Sequence, residues 1–289
     1  MVTNNYDGIR IIKNGVCIFI LSPQKNKVDF YKINEDTFSI IRKDGQLAKV
    51  EIFSIKYNEV IYTKAFNYFH CFYSLEKNNE FGIASSGLLE IYKLEDKNIQ
   101  KKSRKLIEKG IKDMIDIPKT KYIASLGMLD IDLYNKDDLS FVRSIILIEK
   151  DKFNQFYKLN DGRILLGGYK IGFFDINNWK IISIRDDGIK AFTSGSETKI
   201  DYSHIDMTYF NRIICKKYFY QIRGSTYEDA PNTINANETT VCILDYDPEK
   251  NITTLIKNIK EIEPQNINVN EENEILISSY NAIQIYRID

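Results

Sequence analysis

His70 and His204 are the only histidines in the chain, and histidine is the side chain best suited to general-base and imidazole-ligand chemistry near neutral pH. His204 lies in Asp201-Tyr202-Ser203-His204-Ile205-Asp206, which holds the three residue types of a nucleophilic triad. A triad needs convergence in space, not adjacency in sequence, and no Gly-x-Ser-x-Gly elbow occurs. His70 stands beside Cys71 in the aromatic run Tyr68-Phe69-His70-Cys71-Phe72-Tyr73. Consecutive residues on a strand point to opposite faces, so these two are poorly placed to share a metal. Cys17, Cys215 and Cys242 are isolated in apolar segments without Cys-x-x-Cys spacing and read, like Cys71, as buried free thiols.

The carboxylates give no clearer site. Asp245-Tyr246-Asp247-Pro248-Glu249-Lys250-Asn251 alternates acids loosely like a calcium loop, but Lys250 stands where the sharp turn needs glycine. It reads as a plain β-turn, as do the turns holding Asp137-Asp138 and Asp186-Asp187, while Asp130 and Asp132 read as alternating outward on a strand. Gly167-Gly168 opens no phosphate loop, because no Lys-Ser/Thr pair follows. The expectation is no catalytic, cofactor-binding or metal-ligating residue. Lys101-Lys102-Ser103-Arg104-Lys105 is the densest basic run. It reads as solvated charge just before an outermost strand, guarding a sheet edge, with an anionic membrane surface or nucleic acid as the alternatives.

These candidates must be held by a regular framework, and the sequence shows one. Six segments repeat the order apolar–x–apolar–aromatic–polar–apolar, centred on Tyr31, Tyr92, Tyr134, Phe174, Leu244 and Tyr286. The steps are 61, 42, 40, 70 and 42 residues. A strand period near 40–45 marks an array of four-stranded units, each of which must stack on its neighbours to bury both faces. A Ser or Gly stands seven residues before four of the aromatics: Ser85, Gly127, Gly167 and Ser279. A weaker seventh copy, His70–Leu75, places Tyr73 42 residues after Tyr31 but only 19 before Tyr92. The expected fold is an all-β, single β-propeller of four-stranded antiparallel blades over residues 1–289. Seven blades lead, with six plus an extra hairpin as the alternative. Blades are expected near 84–109, 111–148, 151–185, 188–258 and 259–289, with one or two before residue 76. The long step of 70 is assigned mainly to a loop at 224–240.

This pattern resembles the WD-repeat family of β-propellers over essentially the whole chain. The family's Trp-Asp pair is reduced: Tyr31, Tyr92, Tyr134, Phe174, Leu244 and Tyr286 stand at the Trp place. The acid survives only at Asp175 and Asp245, and no Gly-His pair accompanies the repeat. The resemblance implies that blade-to-blade packing of aromatic and β-branched side chains replaces the usual hydrogen-bond network. Phosphoinositide-binding propellers carry two adjacent arginines before Gly, and Gln221-Ile222-Arg223-Gly224 keeps one.

Composition sets the class of partner. Lys plus Arg and Asp plus Glu are 40 each among 289 residues, which argues against a broad nucleic-acid-binding surface. No apolar run approaches a membrane span and the start has no leader-like stretch, so cytoplasm or nucleus is expected. The resemblance implies a non-catalytic protein-interaction scaffold, with partners docking on loops of one face. The 224–240 segment falls between a second and a third strand, with Tyr227 as candidate anchor and Glu228 and Asp229 beside it. The rival readings are a small-ligand or enzymatic propeller using a central channel, and an anionic-membrane adaptor.

Overall fold

The computed structural model describes residues 2–5, 8–13, 16–21, 28–75, 79–148, 153–159, 162–193, 196–200, 202, 204–207, 212–216, 219–221, 233–235, 240–260, 264, 266–269, 274–278 and 283–287. All thirty elements among them are strands, arranged in eight sheets. The chain divides into two compact units, Met1–Ile146 and Leu147–Asp289.

The first unit begins with a three-stranded sheet, β1 (Val2–Asn5), β2 (Gly8–Lys13) and β3 (Val16–Leu21). Three four-stranded sheets follow. The first is β4 (Val28–Asn34), β5 (Thr37–Asp44), β6 (Leu47–Ser54) and β7 (Glu59–Asn67). The next is β8 (Phe69–Ser74), β9 (Glu80–Ser85), β10 (Leu88–Glu95) and β11 (Asn98–Leu106). The last is β12 (Asp113–Asp116), β13 (Tyr122–Leu126), β14 (Asp130–Asn135) and β15 (Phe141–Ile146). Each is an antiparallel up-and-down meander, and the first strands β4, β8 and β12 lie next to one another.

The second unit opens with β16 (Phe153–Lys158), β17 (Ile164–Gly168), β18 (Gly172–Asp175) and β19 (Lys180–Ser183). Two interleaved sheets follow. One is β22 (His204–Met207), β23 (Arg212–Lys216), β26 (Thr240–Asp247) and β27 (Ile252–Lys260), again antiparallel. The other has the order β24 (Phe219–Gln221), β21 (Ser196–Ile200), β20 (Lys190–Thr193), β25 (Thr233–Asn235), and β25 runs parallel to β20. The unit closes with β28 (Asn266–Val269), β29 (Glu274–Ser278) and β30 (Ile283–Arg287). The step of 70 therefore contains an additional mixed sheet, and residues 233–235, inside the segment read as a loop, form a strand.

Five of the six repeated segments lie on third strands: Tyr92 on β10, Tyr134 on β14, Phe174 on β18, Leu244 on β26 and Tyr286 on β30. Tyr31 does not; it lies on the first strand β4. The third strand of that sheet is β6, with Val50-Glu51-Ile52-Phe53 in the repeated order. A backbone signature confirms the equivalence. The pairing of third with fourth strand slips by one residue at Ile52/Phe53, Ile91/Tyr92, Leu133/Tyr134 and Ile243/Leu244. The same slip occurs at Ile11/Ile12 between β2 and β3. In each case the extra residue is on the outer strand of the pair, Ile61, Lys102, Val142, Ile256 and Ile18, so the bulge bends that strand at the same place in the repeat. Counted from Phe53, the distance to Tyr92 is 39 residues, and the irregular step of 61 disappears. Tyr73 likewise lies on a first strand, β8, so that sheet begins at Phe69 and not near residue 84.

The two faces of a third strand serve different neighbours. Leu89 and Ile91 of β10 pack with Ile123 and Tyr134 of the following sheet, whereas Tyr92 packs with Val50, Ile52 and Phe66 of the preceding one. In the second unit Val241 and Ile243 pack with Ile275 and Ile277, while Cys242 and Leu244 pack with Leu165 and Phe173. An aromatic row crosses one such boundary. Tyr31, Phe72, Phe81 and Tyr92 have successive ring centroids 5.2, 5.2 and 5.3 Å apart. Offset contacts of this kind add to what area burial alone contributes.

Candidate functional site

The second position of the repeated segment shares a face with the aromatic, and in three sheets of the first unit it is a buried acid. It holds Glu51, Glu90 and Asp132, none more than 6% exposed. Tyr92 donates its hydroxyl to Glu90 at 2.7 Å, Tyr134 to Asp132 at 3.5 Å, and Tyr286 to the amide oxygen of Gln284 at 3.0 Å. Cations from the preceding fourth strand and its connection complete the sites. Lys64 of β7 reaches Glu90 at 3.4 Å and lies 5.6 Å from the Tyr92 ring centroid. Lys105 of β11 stands 5.6 Å over the Tyr134 ring, and Lys109 pairs with Asp132 at 3.4 Å. Burial alone raises the Glu90 carboxyl, but hydrogen bonds from Tyr92 and Lys101 and the charges of Lys64 and Lys101 outweigh it and hold the group low. Burial, then the Asp132 charge, pushes Tyr134 up to about 12. Glu90 and Asp132 thereby tie their sheets to the preceding sheet or its connection, while Glu51 pairs with Arg42 and Lys49 of its own sheet. Asp132, read from sequence as facing outward, is buried at 5%.

The basic run pairs mainly with acids of its own sheet. It lies within the outermost strand β11, not before it. Lys101 pairs with Glu90 at 2.9 Å, Lys102 with Glu80 at 3.2 Å, and Arg104 approaches Glu90 at 3.9 Å. With Lys105 over Tyr134, every cation of the run is engaged inside the first unit.

Function is better sought at the sheet ends. In an up-and-down sheet the turns joining strands one to two and three to four fall at one end. The two-to-three turn and the connection leaving strand four fall at the other. In the first unit the former end is charged. Tyr57 there donates to Asp96, with Lys56 and Lys97 at 4.7 and 4.3 Å from its ring centroid. Tyr57, Asp96 and Lys56 border an open cleft of about 600 Å³ that also takes in Asn34, Asp36 and Asn79.

The opposite end is apolar and exposed. Leu47, Tyr68, Leu106, Met128, Leu129 and Ile146 lie there, between 51% and 78% exposed. The other three large exposed apolar side chains described in this unit, Val60, Phe141 and Val142, lie on the fourth strands β7 and β15. Tyr68 is held outward by its backbone. It has φ +48°, an uncommon value for a bulky residue. Ser86 fixes it, donating its N–H to the Tyr68 carbonyl at 3.0 Å and its hydroxyl to the Asn67 carbonyl at 2.5 Å. Tyr68, His70, Gly87, Ile107 and Lys109 surround a depression of about 540 Å³. Sequence reasoning missed this surface. Its signal was Met128-Leu129, an apolar pair inside a two-to-three turn where polar residues are the rule.

The other sequence candidates disperse. His70 is exposed at the start of β8, and partial desolvation of its ring lowers its pKa. His204 is on β22 opposite Lys216, while Asp201 and Ser203 lie outside the described residues. Asp247 accepts the backbone N–H groups of Glu249 and Lys250 at 3.0 and 3.1 Å, the geometry of an Asx turn. Among the described residues no group of three or more His, Cys, Asp and Glu could hold a metal ion. No helix there is long and apolar enough to cross a membrane. Tyr227, Glu228, Asp229 and Arg223 lie outside the described residues.

No family model matches the chain, and no curated protein matches it. Solved structures do. The Cps50 (Swd1) β-propeller domain of Myceliophteria thermophila superposes with a TM-score of 0.67 at 9% identity, over 100% of this chain and 93% of that one. A structure of the mitotic checkpoint complex gives 0.63 at 11% identity, covering 97% and 84%. The computationally designed protein Ika8 gives 0.57 at 10% identity, covering 99% and 80%. At these identities the likeness shows the fold alone, a β-propeller.

Proposed function

We propose that the protein is a non-catalytic interaction scaffold, residues 1–289 forming one propeller domain that works in the cytoplasm or nucleus. The observation that carries this reading is the gathering of Leu47, Tyr68, Leu106, Met128, Leu129 and Ile146 at one end of the first unit. Exposed apolar groups gathered in this way mark protein-binding surfaces, and an aromatic held rigidly outward is a favoured anchor. The partner that fits is a protein presenting an apolar segment. In the second unit the corresponding two-to-three connection is the 217–239 insert, where Tyr227, Glu228 and Asp229 would add an aromatic anchor and flanking charge. That similar propellers include one from a mitotic checkpoint complex supports a role in protein assemblies.

The test compares proteins co-purified with three tagged chains by quantitative mass spectrometry. One is the natural chain, one carries Tyr68→Ser with Met128→Ser and Leu129→Ser, and one carries Lys56→Ser with Lys97→Ser at the charged end. A set of proteins lost only from the first variant supports the reading. Equal recovery by all three, with both variants folded, overturns it for this surface.

A further inference from the structure

Cys215 of β23 and Cys242 of β26 are cross-strand partners: the antiparallel register sets their α-carbons directly opposite, between the pairs Lys216↔Val241 and Ile214↔Ile243. Directly opposed α-carbons in an antiparallel pair are about 4.5 or 5.5 Å apart, depending on pair type. Disulfides span about 4.4–6.8 Å between α-carbons, so the backbone already stands within bonding range. The position of this pair matters more than its existence. β23 ends at Lys216 and β26 begins at Thr240, so the two cysteines straddle the root of the insert 217–239. That insert supplies β24 and β25, which pair with β21 and β20 on the two sides of the mixed sheet. Cys242 is buried and donates its thiol to the Asn258 amide oxygen at 2.6 Å, so in the reduced protein its hydrogen is occupied.

We propose that Cys215 and Cys242 form a reversible disulfide under peroxide, and that this bond clamps the root of the insert. One thiol sulfur attacks a peroxide oxygen, the O–O bond breaks, and water leaves with a sulfenic acid remaining. The second thiol sulfur then attacks the sulfenic sulfur and expels a second water. Two S–H bonds are lost and one S–S bond is gained, and the peroxide takes both electrons. A low-molecular-weight thiol reverses the bond by exchange. The reduced and oxidised proteins share their register, and they differ in whether the strands at the root can part. Oxidation thus stiffens the base of the second unit's longest connection without altering the first unit's apolar end.

The experiment treats the full-length reduced protein with hydrogen peroxide, blocks remaining thiols under denaturing conditions and digests with trypsin. The expected result is a linked pair, residues 213–216 joined to 224–250, with two of the four thiols lost to alkylation and restored by dithiothreitol. Cys17→Ser with Cys71→Ser must retain the linked pair, while Cys215→Ala must abolish it. Limited proteolysis within 217–239 should slow on oxidation of the natural chain and stay unchanged in Cys215→Ala. An unlinked pair at full oxidation of other thiols, or linkage through Cys17 or Cys71, overturns the proposal. The natural chain alone decides this outcome, so a variant that fails to fold leaves the result intact.

Discussion

Tyr73 of β8 stands directly opposite Gly82 of β9, and its ring fills the space that a side chain at position 82 would occupy. A Cβ added there would lie 1.8 Å from the ring carbon Cζ and 2.2 Å from the hydroxyl. Tyr73 is 4% exposed and packs with Leu89, Ile91 and Ile123 across the boundary to the next sheet. The glycine thus lets a first-strand aromatic lie flat on its own sheet and fill the space between sheets.

Gly82→Ala should therefore destabilise the first unit by about 1–3 kcal/mol, the range for forced overpacking. Tyr73→Phe keeps the ring, and the Tyr73 hydroxyl is buried without a hydrogen-bond partner among the described residues. That change should be neutral or slightly stabilising. Urea unfolding of both variants checks the pair, and a neutral Gly82→Ala would mean the ring is placed elsewhere.

Glu90 makes stability depend on pH in a definite direction. Its folded carboxyl is held below the ordinary range, so the folded state binds its proton less readily than the unfolded chain does. The stabilising contribution is complete above the unfolded value and is lost as pH falls through the folded one. The urea midpoint should drop between about pH 5 and pH 3, and Glu90→Gln should flatten part of that drop. At neutral pH the same variant should cost about 1–3 kcal/mol, because glutamine keeps one acceptor oxygen but loses the charge that Lys64 and Lys101 pair with.

Phe174 is 4% exposed on β18, with its ring centroid 6.1 Å from that of Trp179. Phe174→Ala should cost about 3–5 kcal/mol where the site cannot collapse. Trp179 is the chain's single tryptophan, so its fluorescence should report the loss directly.

β24 and β25 lie on opposite edges of the mixed sheet, three strand spacings apart, or about 14 Å. Replacing the eleven residues 222–232 by Gly and Ser at equal length should leave the thermal midpoint nearly unchanged. Deleting all eleven should lower it clearly, since adjoining residues are only about 3.8 Å apart and one edge strand must detach. Equal midpoints for the two variants would contradict the pairing of β25 with β20.

The sequence by itself determined the repeat, because stacking four-stranded sheets demands the same apolar and aromatic positions every 40 or so residues. Five of the six aromatic positions lie on third strands for that reason. Strand rank was not legible: Tyr31 and Tyr73 sit on first strands as apolar as any third strand, and only pairing distinguishes them. The alternation of faces hid the acids as well. Glu90 and Asp132 look like solvent-facing positions until the preceding sheet covers them and Lys64 and Lys109 arrive to neutralise them. The apolar surface around Tyr68 was decided last. Its members come from turns more than 80 residues apart, from Leu47 to Met128, and share an end only because each sheet runs in the same up-and-down order. Periodicity records what each strand buries; which strand ends lie together within a unit, and what they leave uncovered, depends on how the strands pair.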